Sequence, residues 1–331
     1  MSRRFLLRRL VFYLIALWAA ITLNFLLPRL MPGNPALLML ARYKGRLTPA
    51  ALRAFAAAFG FATHGSILAQ YGQYLASLLR GNLGLSIAYF PEPVSQVIAT
   101  ALPWTLFLVG FATVISFAVG TLLGIWSAWG RGRAIDSWLP TVSTFTSAFP
   151  YFWFALLCAY VFGFLLQWFP TGHAYSGTAD AFSFANLPDI AYHAVLPAFT
   201  IVVSSIGGWL LGMRNNMVAT LAEDHIVLAQ AKGLPRRRVM YTYAARNAIL
   251  PNLTGFAMSI GFVVGGALLT EIVFSYPGLG YTLLLAVQSE DYPLMQATLL
   301  VIAVAVLIAN FFAELAYGWL DPRVDQEQEV A

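Results

Sequence analysis

The side chains in this 331-residue chain that could do covalent chemistry are few, and their spacing argues against it. The lysines are Lys44 and Lys232, and each is followed by glycine. A phosphate-cradling Gly-Lys-Ser/Thr loop needs a hydroxyl residue after the lysine, so neither position binds ATP by that route. His64, His173, His193 and His225 lie far apart, and none belongs to a His-Glu-x-x-His helix that would hold zinc. Cys158 is the single cysteine. It has no disulfide or metal partner and reads as a small packed hydrophobe. No Gly-x-Ser-x-Gly nucleophile elbow occurs. What remains is the chemistry of contact and passage. Residues 213–256 form a basic, helix-patterned stretch between two apolar runs. Ser204, Ser205, Asn252, Thr254, Ser259 and Thr270 lie in or beside apolar runs. Polar groups so placed can line a path or hydrogen-bond between helices.

The elements that position these groups are set by the solvent. The chain is 60% hydrophobic and 10% charged, against about 25% charged in an ordinary soluble domain. So few charges cannot cover a water-exposed surface. A helix crossing a bilayer needs about 20 apolar residues. Charge-free runs of that kind cover 10–28, 104–130, about 142–168, 194–213, 247–270 and 292–313, predicting six transmembrane helices. Gly120-x-x-x-Gly124, Gly208-x-x-x-Gly212 and Gly261-x-x-x-Gly265 would let these helices approach closely, as static packing more readily than as gates. Trp104, Trp168 and Trp319 fall at expected interfaces and read as bilayer anchors.

Arginine placement orients the helices. Arg3, Arg4, Arg8 and Arg9 precede the first span, and Arg131 and Arg133 join the second to the third. Arg214, Lys232, Arg236, Arg237, Arg238 and Arg246 lie between the fourth and fifth, and Arg323 follows the last. The loops 169–193 and 271–295 contain no Lys or Arg. Positive residues near spans favour the cytoplasmic side, so both termini are expected there. The net charge of +5 then reflects topology and gives no reason to expect nucleic acid. The arginine-rich start imitates a signal peptide, but the apolar run continues to Leu27 without a polar cleavage region and reads as an anchor.

Four regions follow. Residues 1–30 are a cytoplasmic N-terminus and first helix, and 31–102 an extracytoplasmic helical segment. Residues 103–318 form a five-helix core carrying the loop 214–250, and 319–331 a cytoplasmic tail. Within 31–102, helical patterns run from Thr48–Pro49 to Gly60 and over 67–79, before Pro91 and Pro93 break the chain. Stability alone or docking of an extracytoplasmic partner would explain this cap. Glu271 and Glu314 lie near span ends, where headgroup water could meet them.

In the loop, Met217, Leu221, Ile226 and Leu228 to Ala231 suggest a helix with an apolar side. Glu223 and Asp224 suit its N-terminus and Lys232 its C-terminus. Gly233 is placed to end it with positive φ, and Leu234–Pro235 redirects the chain. Such a helix can enter a groove on a partner, with Leu228, Ala229 and Leu234 as contacts. It can equally pack on its own protein or lie on the membrane surface.

Several motifs together resemble the permeases of binding-protein-dependent ABC transporters, specifically the dipeptide/oligopeptide B-type family. Ala229, Ala231, Lys232, Gly233 and Leu234, then Arg237–Arg238, then Arg246–Asn247–Ala248 and Leu250–Pro251 are similar to that family's cytoplasmic loop. Pro32–Gly33–Asn34–Pro35 resembles its Pro-Gly-Asp-Pro, and Gly81–Asn82–Leu83–Gly84–Leu85–Ser86 its Gly-Asp-Leu-Gly-x-Ser. The run from Glu271 to Gly280, EIVFSYPGLG, and the ending Asp321–Pro322–Arg323 also match. The loop lacks the literal Glu-Ala-Ala start, Val227 and Gln230 stand where close relatives often carry arginine, and Asn34 and Asn82 replace aspartates.

The resemblance implies an all-α type I ABC importer permease fold and a non-catalytic subunit that forms half of a path. Implied partners are a second homologous permease in a heterodimer, two ATPase subunits that carry ATP and Mg, and an extracytoplasmic binding protein. The chain itself would hold no cofactor. Leu228, Ala229, Ala231, Lys232, Gly233, Leu234 and Arg237 become the expected ATPase-coupling residues, with Ala229, Ala231 and Gly233 small to allow close docking. Ser204, Ser205, Asn252, Ser259 and Thr270 become the expected path residues. Di- and oligopeptides are the family's usual cargo, with oligosaccharides, nickel or haem as alternatives. A secondary transporter or channel fits less well, since no internal repeat is evident and the spans hold almost no ionisable group.

Overall fold

The computed structural model describes residues 3–30, 66–177 and 186–320. The helical pattern of 48–60, Pro32–Pro35 and Asp321–Arg323 lie outside the described residues, as does the side chain of Trp319. Helix α1 spans Arg3–Leu30, α2 Ile67–Leu79 and α3 Val94–Trp129. Helix α4 spans Ala134–Ala148 and α5 Tyr151–Leu165, whose second half, Ala159–Leu165, is a π-helix. Helix α6 is Leu187–Thr220, α7 Asp224–Ala231, α8 Arg236–Ala248 and α9 Leu250–Gly265. Helices α10 (Leu268–Val273), α11 (Leu279–Gln288) and α12 (Tyr292–Leu320) complete the chain.

Among the described residues, α1, α3, α6 and the Tyr292–Phe312 part of α12 are long and apolar enough to cross a membrane. The bent pairs α4–α5 and α8–α9 bring the total to six, in line with the hydropathy reading. Their boundaries differ from it. Helix α3 starts at Val94 and runs through Pro103, and α6 starts at Leu187 and runs through Pro197. A proline costs less inside a long membrane helix, where neighbours re-satisfy the freed carbonyl. The third span bends by 92° between α4 and α5, where Phe149 and Pro150 leave helical geometry.

Helices α3 and α6 form the spine. A Cβ built on Gly120 would lie 2.9 Å from the Ile206 carbonyl oxygen, and one on Gly124 would lie 2.6 Å from that of Leu210. Gly261 is similarly closed by Ala309 of α12. These glycines bring their helices into close contact. Gly208 does not: it is exposed, with nothing within 4 Å. Helix α1 lies antiparallel along α12. Arg9 meets Glu314 at 3.3 Å, and Asn24 and Gln296 exchange amide hydrogen bonds with each other's backbone carbonyls at 2.6 and 2.8 Å. Glu314 is thus paired with an arginine, where headgroup water was the expectation.

Three apolar clusters divide the interior. The middle one joins Trp104, Leu108, Ile190, Ile201, Phe274 and Tyr276. Trp104 is 4% exposed and stacks on Tyr175, so it is core material and no interface anchor. The second joins Ile125 and Ala128 at the end of α3 to α6, α7 and α8. The third joins Val94, Val97 and Ile98 at the start of α3 to α11 and α12. Since α3 has 36 residues and rises about 1.5 Å per residue, the second and third clusters occupy opposite ends of the molecule. Much apolar surface stays uncovered, including Trp138, Phe145, Trp153 and Phe164, each more than 60% exposed. That surface requires lipid or another subunit.

Candidate functional site

Helix α7 has eight residues, too few to be stable alone in water. Packing supplies what length does not. Ile226 and Ala229, three residues apart on one face, are 0% and 3% exposed. They enter the cluster formed by Ile125, Met213, Met217, Val239 and Ala244, which come from α3, α6 and α8. The opposite face carries Val227 and Leu228, 58% and 56% exposed, and Ala231 is exposed beside them. The helix is thereby rooted in three neighbours while presenting a small apolar face outward.

Its end is built as the sequence implied. Gly233 has φ +71° and its amide donates to the Gln230 carbonyl at 2.9 Å, while Leu234 N–H donates to the Ala229 carbonyl at 3.3 Å. This pair of bonds is the Schellman arrangement, which requires a left-handed residue at the glycine position. A Cβ at Gly233 would meet nothing within 4 Å. Lys232, Arg236, Arg237 and Arg238 are exposed around the turn, and Leu234 is half-buried against the cluster.

Two expectations need correction. Ala229 faces the protein's own core, because it shares the buried face with Ile226, so it cannot be a direct partner contact. Met217 belongs to the last turns of α6, which continues to Thr220 before the turn at residues 221–223. Val227, not among the expected coupling residues, is as exposed as Leu228. Asp136 was also missed. It receives Arg214 Nη2 at 2.6 Å and Nε at 2.7 Å, and the Gly132 amide at 3.2 Å, tying the α3–α4 turn to α6 at the foot of α7. Its signal was its isolation, since no other acid lies between Glu92 and Asp180.

The expected path residues do not converge. Ser204, Ser205 and Ser259 each donate to carbonyls of their own helix, those of Thr200, Ile201 and Phe256. Asn252 is 6% exposed and donates to the Trp209 carbonyl at 3.0 Å, which makes it a tie between α6 and α9. Thr270 is 1% exposed with no partner for its hydroxyl. Ser205 alone of the five is exposed, next to the open Gly208.

Comparison with known proteins gives this architecture a family. Residues 120–326 match the family described as binding-protein-dependent transport system inner membrane component. The oligopeptide transport system permease protein AppB of Bacillus subtilis is 31% identical over 97% of this chain and 99% of its own. A putative peptide permease protein of Brucella suis is 35% identical over 97% and 98%. The di/tripeptide transport system permease protein DppB of Pseudomonas aeruginosa is 31% identical over 98% and 99%. The chain belongs to this permease family.

At the opposite end of the permease, two buried carboxylates organise the backbone. Glu271 is 0% exposed, where headgroup water was expected. Its Oε2 accepts the Gly280 amide at 2.7 Å, at the start of α11. Thr105 of α3 accepts the Leu279 amide at 2.8 Å. Burial pushes the Glu271 carboxyl above the usual carboxylate range, against the pull of the Thr105 hydroxyl and the Gly280 and Tyr281 amides. A Cβ on Gly278 would lie 2.5 Å from that carboxylate, and one on Gly280 2.9 Å. The Tyr-Pro-Gly-Leu-Gly turn is therefore shaped around one acid. Asp291, also 0% exposed, accepts the Ser86 hydroxyl at 2.5 Å, the Ile87 and Ala88 amides at 2.7 and 2.9 Å, and the Leu294 amide at 3.1 Å. It joins the end of the Gly-Asn-Leu-Gly-Leu-Ser run to the first turn of α12.

Proposed function

We propose that this permease is one of two homologous subunits of an ATP-driven importer that takes up di- and oligopeptides delivered by an extracytoplasmic binding protein. Two ATPase subunits carry the ATP and Mg, and one of them docks on the outward face of α7. In this reading the arginine-rich end is cytoplasmic, both termini with it. The peptide cargo rests on the relatives named above, which are peptide permeases over nearly their whole length.

One observation carries the docking role: α7 is exposed on one side and rooted in α3, α6 and α8 on the other. A partner that grips Val227, Leu228 and Ala231 pushes on Ile226 and Ala229. These pass the displacement to Met213 and Met217 of α6 and to Ile125 of α3 through a close-packed cluster. Such interiors transmit strain because they compress little. The Asp136–Arg214 pair holds the α3–α4 turn and α6 together, so the spans move as a body. Lys232, Gly233 and Arg237 then border the docked surface, and Leu234 closes the cluster beneath it. Ser205 and Gly208 mark the part of α6 open to the second subunit or the path.

The test is ATP hydrolysis by the reconstituted complex with and without loaded binding protein. Gly233→Trp projects a large ring from an open surface. It should leave membrane insertion intact and remove the binding-protein stimulation. Leu228→Asp should weaken copurification of the ATPase subunits. Normal stimulation in both variants would refute docking at α7.

A further inference from the structure

Helix α8 differs from the helix it feeds. It meets α9 at 52°, with Val239, Met240, Ala244, Ala245 and Ala248 buried against the protein. Its outward stripe is Arg238, Thr242 and Arg246, all exposed at spacings of four. The same stripe continues into α9 as Leu250, Leu253 and Ile260, exposed by 55%, 41% and 50%. One continuous face thus changes from basic to apolar within a turn.

Helix α3 records the same boundary independently. Its exposed ridge of Val114, Ala118 and Leu122 ends at Trp126, and Arg131 and Arg133 follow directly. Trp126 Nε1–H donates to the Tyr241 hydroxyl at 2.9 Å, which ties the two boundaries to one depth. Trp and Tyr with an apolar body and a polar tip collect where hydrocarbon meets headgroups.

The charges separate in the same way. Arg9 and Arg214, which face the protein, each have a carboxylate partner in Glu314 or Asp136. Among the described residues, Arg131, Arg133, Arg238 and Arg246 have none within 4.0 Å, and all four are exposed. Unpaired guanidinium groups at the edge of the apolar surface match phosphate in charge and geometry.

We propose that Arg238 and Arg246 of α8, with Arg131 and Arg133 after the end of α3, form a binding surface for anionic phospholipid headgroups, set at its depth by the Trp126–Tyr241 pair. An acidic surface of a partner protein is the competing occupant. The stripe's continuation into exposed Leu250 and Leu253 favours lipid, since a headgroup brings its own hydrocarbon to cover them.

The complex would be assembled from the full chain with its partner subunits, in nanodiscs of phosphatidylcholine with one part in five phosphatidylglycerol. Retained lipids would be counted by native mass spectrometry. Wild type should retain phosphatidylglycerol in preference to phosphatidylcholine. The pair Arg238→Gln and Arg246→Gln should reduce that preference about thirtyfold, while the corresponding lysine pair keeps most of it. Unchanged retention in the glutamine pair overturns the proposal. So does loss of ATPase subunits with retention intact, which would assign the arginines to protein docking. Brominated phosphatidylglycerol should quench the Trp126 contribution, taken as wild type minus Trp126→Phe, more than brominated phosphatidylcholine does. Equal quenching in the wild-type complex also overturns it.

Discussion

Gly233 and Gly278 stand at opposite ends of the molecule and are glycine for opposite reasons. Gly233 has a left-handed backbone, φ +71°, and open space around it. Gly278 has an ordinary backbone, φ −87°, and a carboxylate where its Cβ would be. The first glycine serves conformation and the second serves room. The ends they belong to differ in the same sense. The arginine-rich end offers a short helix with an uncovered face, ready for something else to grip. The other end has folded Glu271 and Asp291 inward, where they accept amides of its own turns. One end leaves a helix face uncovered and the other holds its own backbone.

The sharpest way to break this contrast is at Asp291. Asp291→Ala strands a hydroxyl and two loop amides, which should cost about 4 kcal/mol and lower the thermal midpoint in detergent by about 10 °C. A loss no larger than that of a surface substitution would mean that the knot is not holding the end together. Gly278→Ala comes next. Overpacking against the Glu271 carboxylate should cost about 2–3 kcal/mol, and adding Glu271→Asp to the same chain should recover part of it by withdrawing the carboxylate. Gly233→Ala should cost least, about 1 kcal/mol for a left-handed alanine, and Gly233→Asn less still. Both should keep binding-protein-stimulated ATP hydrolysis, unlike Gly233→Trp. If Gly233→Ala proved as damaging to stability as Gly278→Ala, the two glycines would not differ in kind.

Much of this was legible in the residues. Six charge-free runs correspond to four long helices and two bent pairs, because the cost of an uncovered charge in hydrocarbon leaves a gap in the sequence that no packing detail can hide. Gly233 was legible too, since a glycine after Lys232 and before Leu234–Pro235 has few other uses. The second run was begun only after Pro103, yet α3 continues through it from Val94, because proline is a weaker stop within membrane spans than in water. Glu271 was misread for a different reason. An acid next to an apolar run looks like a boundary marker, and only the return of residues 278–280 beneath it reveals a buried ligand for amides. Ala229 was read as a contact because it sits in a motif with exposed neighbours. The motif fixes its position in the chain but not the side of α7 on which it lies.

Composition and the placement of arginines determined by themselves that this is a helical membrane protein, and the residues around Gly233 marked its resemblance to a permease family and the end of a short helix. Those properties come from transfer of side chains between water and lipid, and from local backbone preference, both of which are written residue by residue. Tertiary structure alone decided that Ile226 and Ala229 root α7 in three helices, that Asp136 clamps Arg214, and that Glu271 and Asp291 turn inward. Each of these joins residues distant along the chain, or depends on which face of a short helix packs. One side chain's energy is then set by neighbours that only the folded chain supplies.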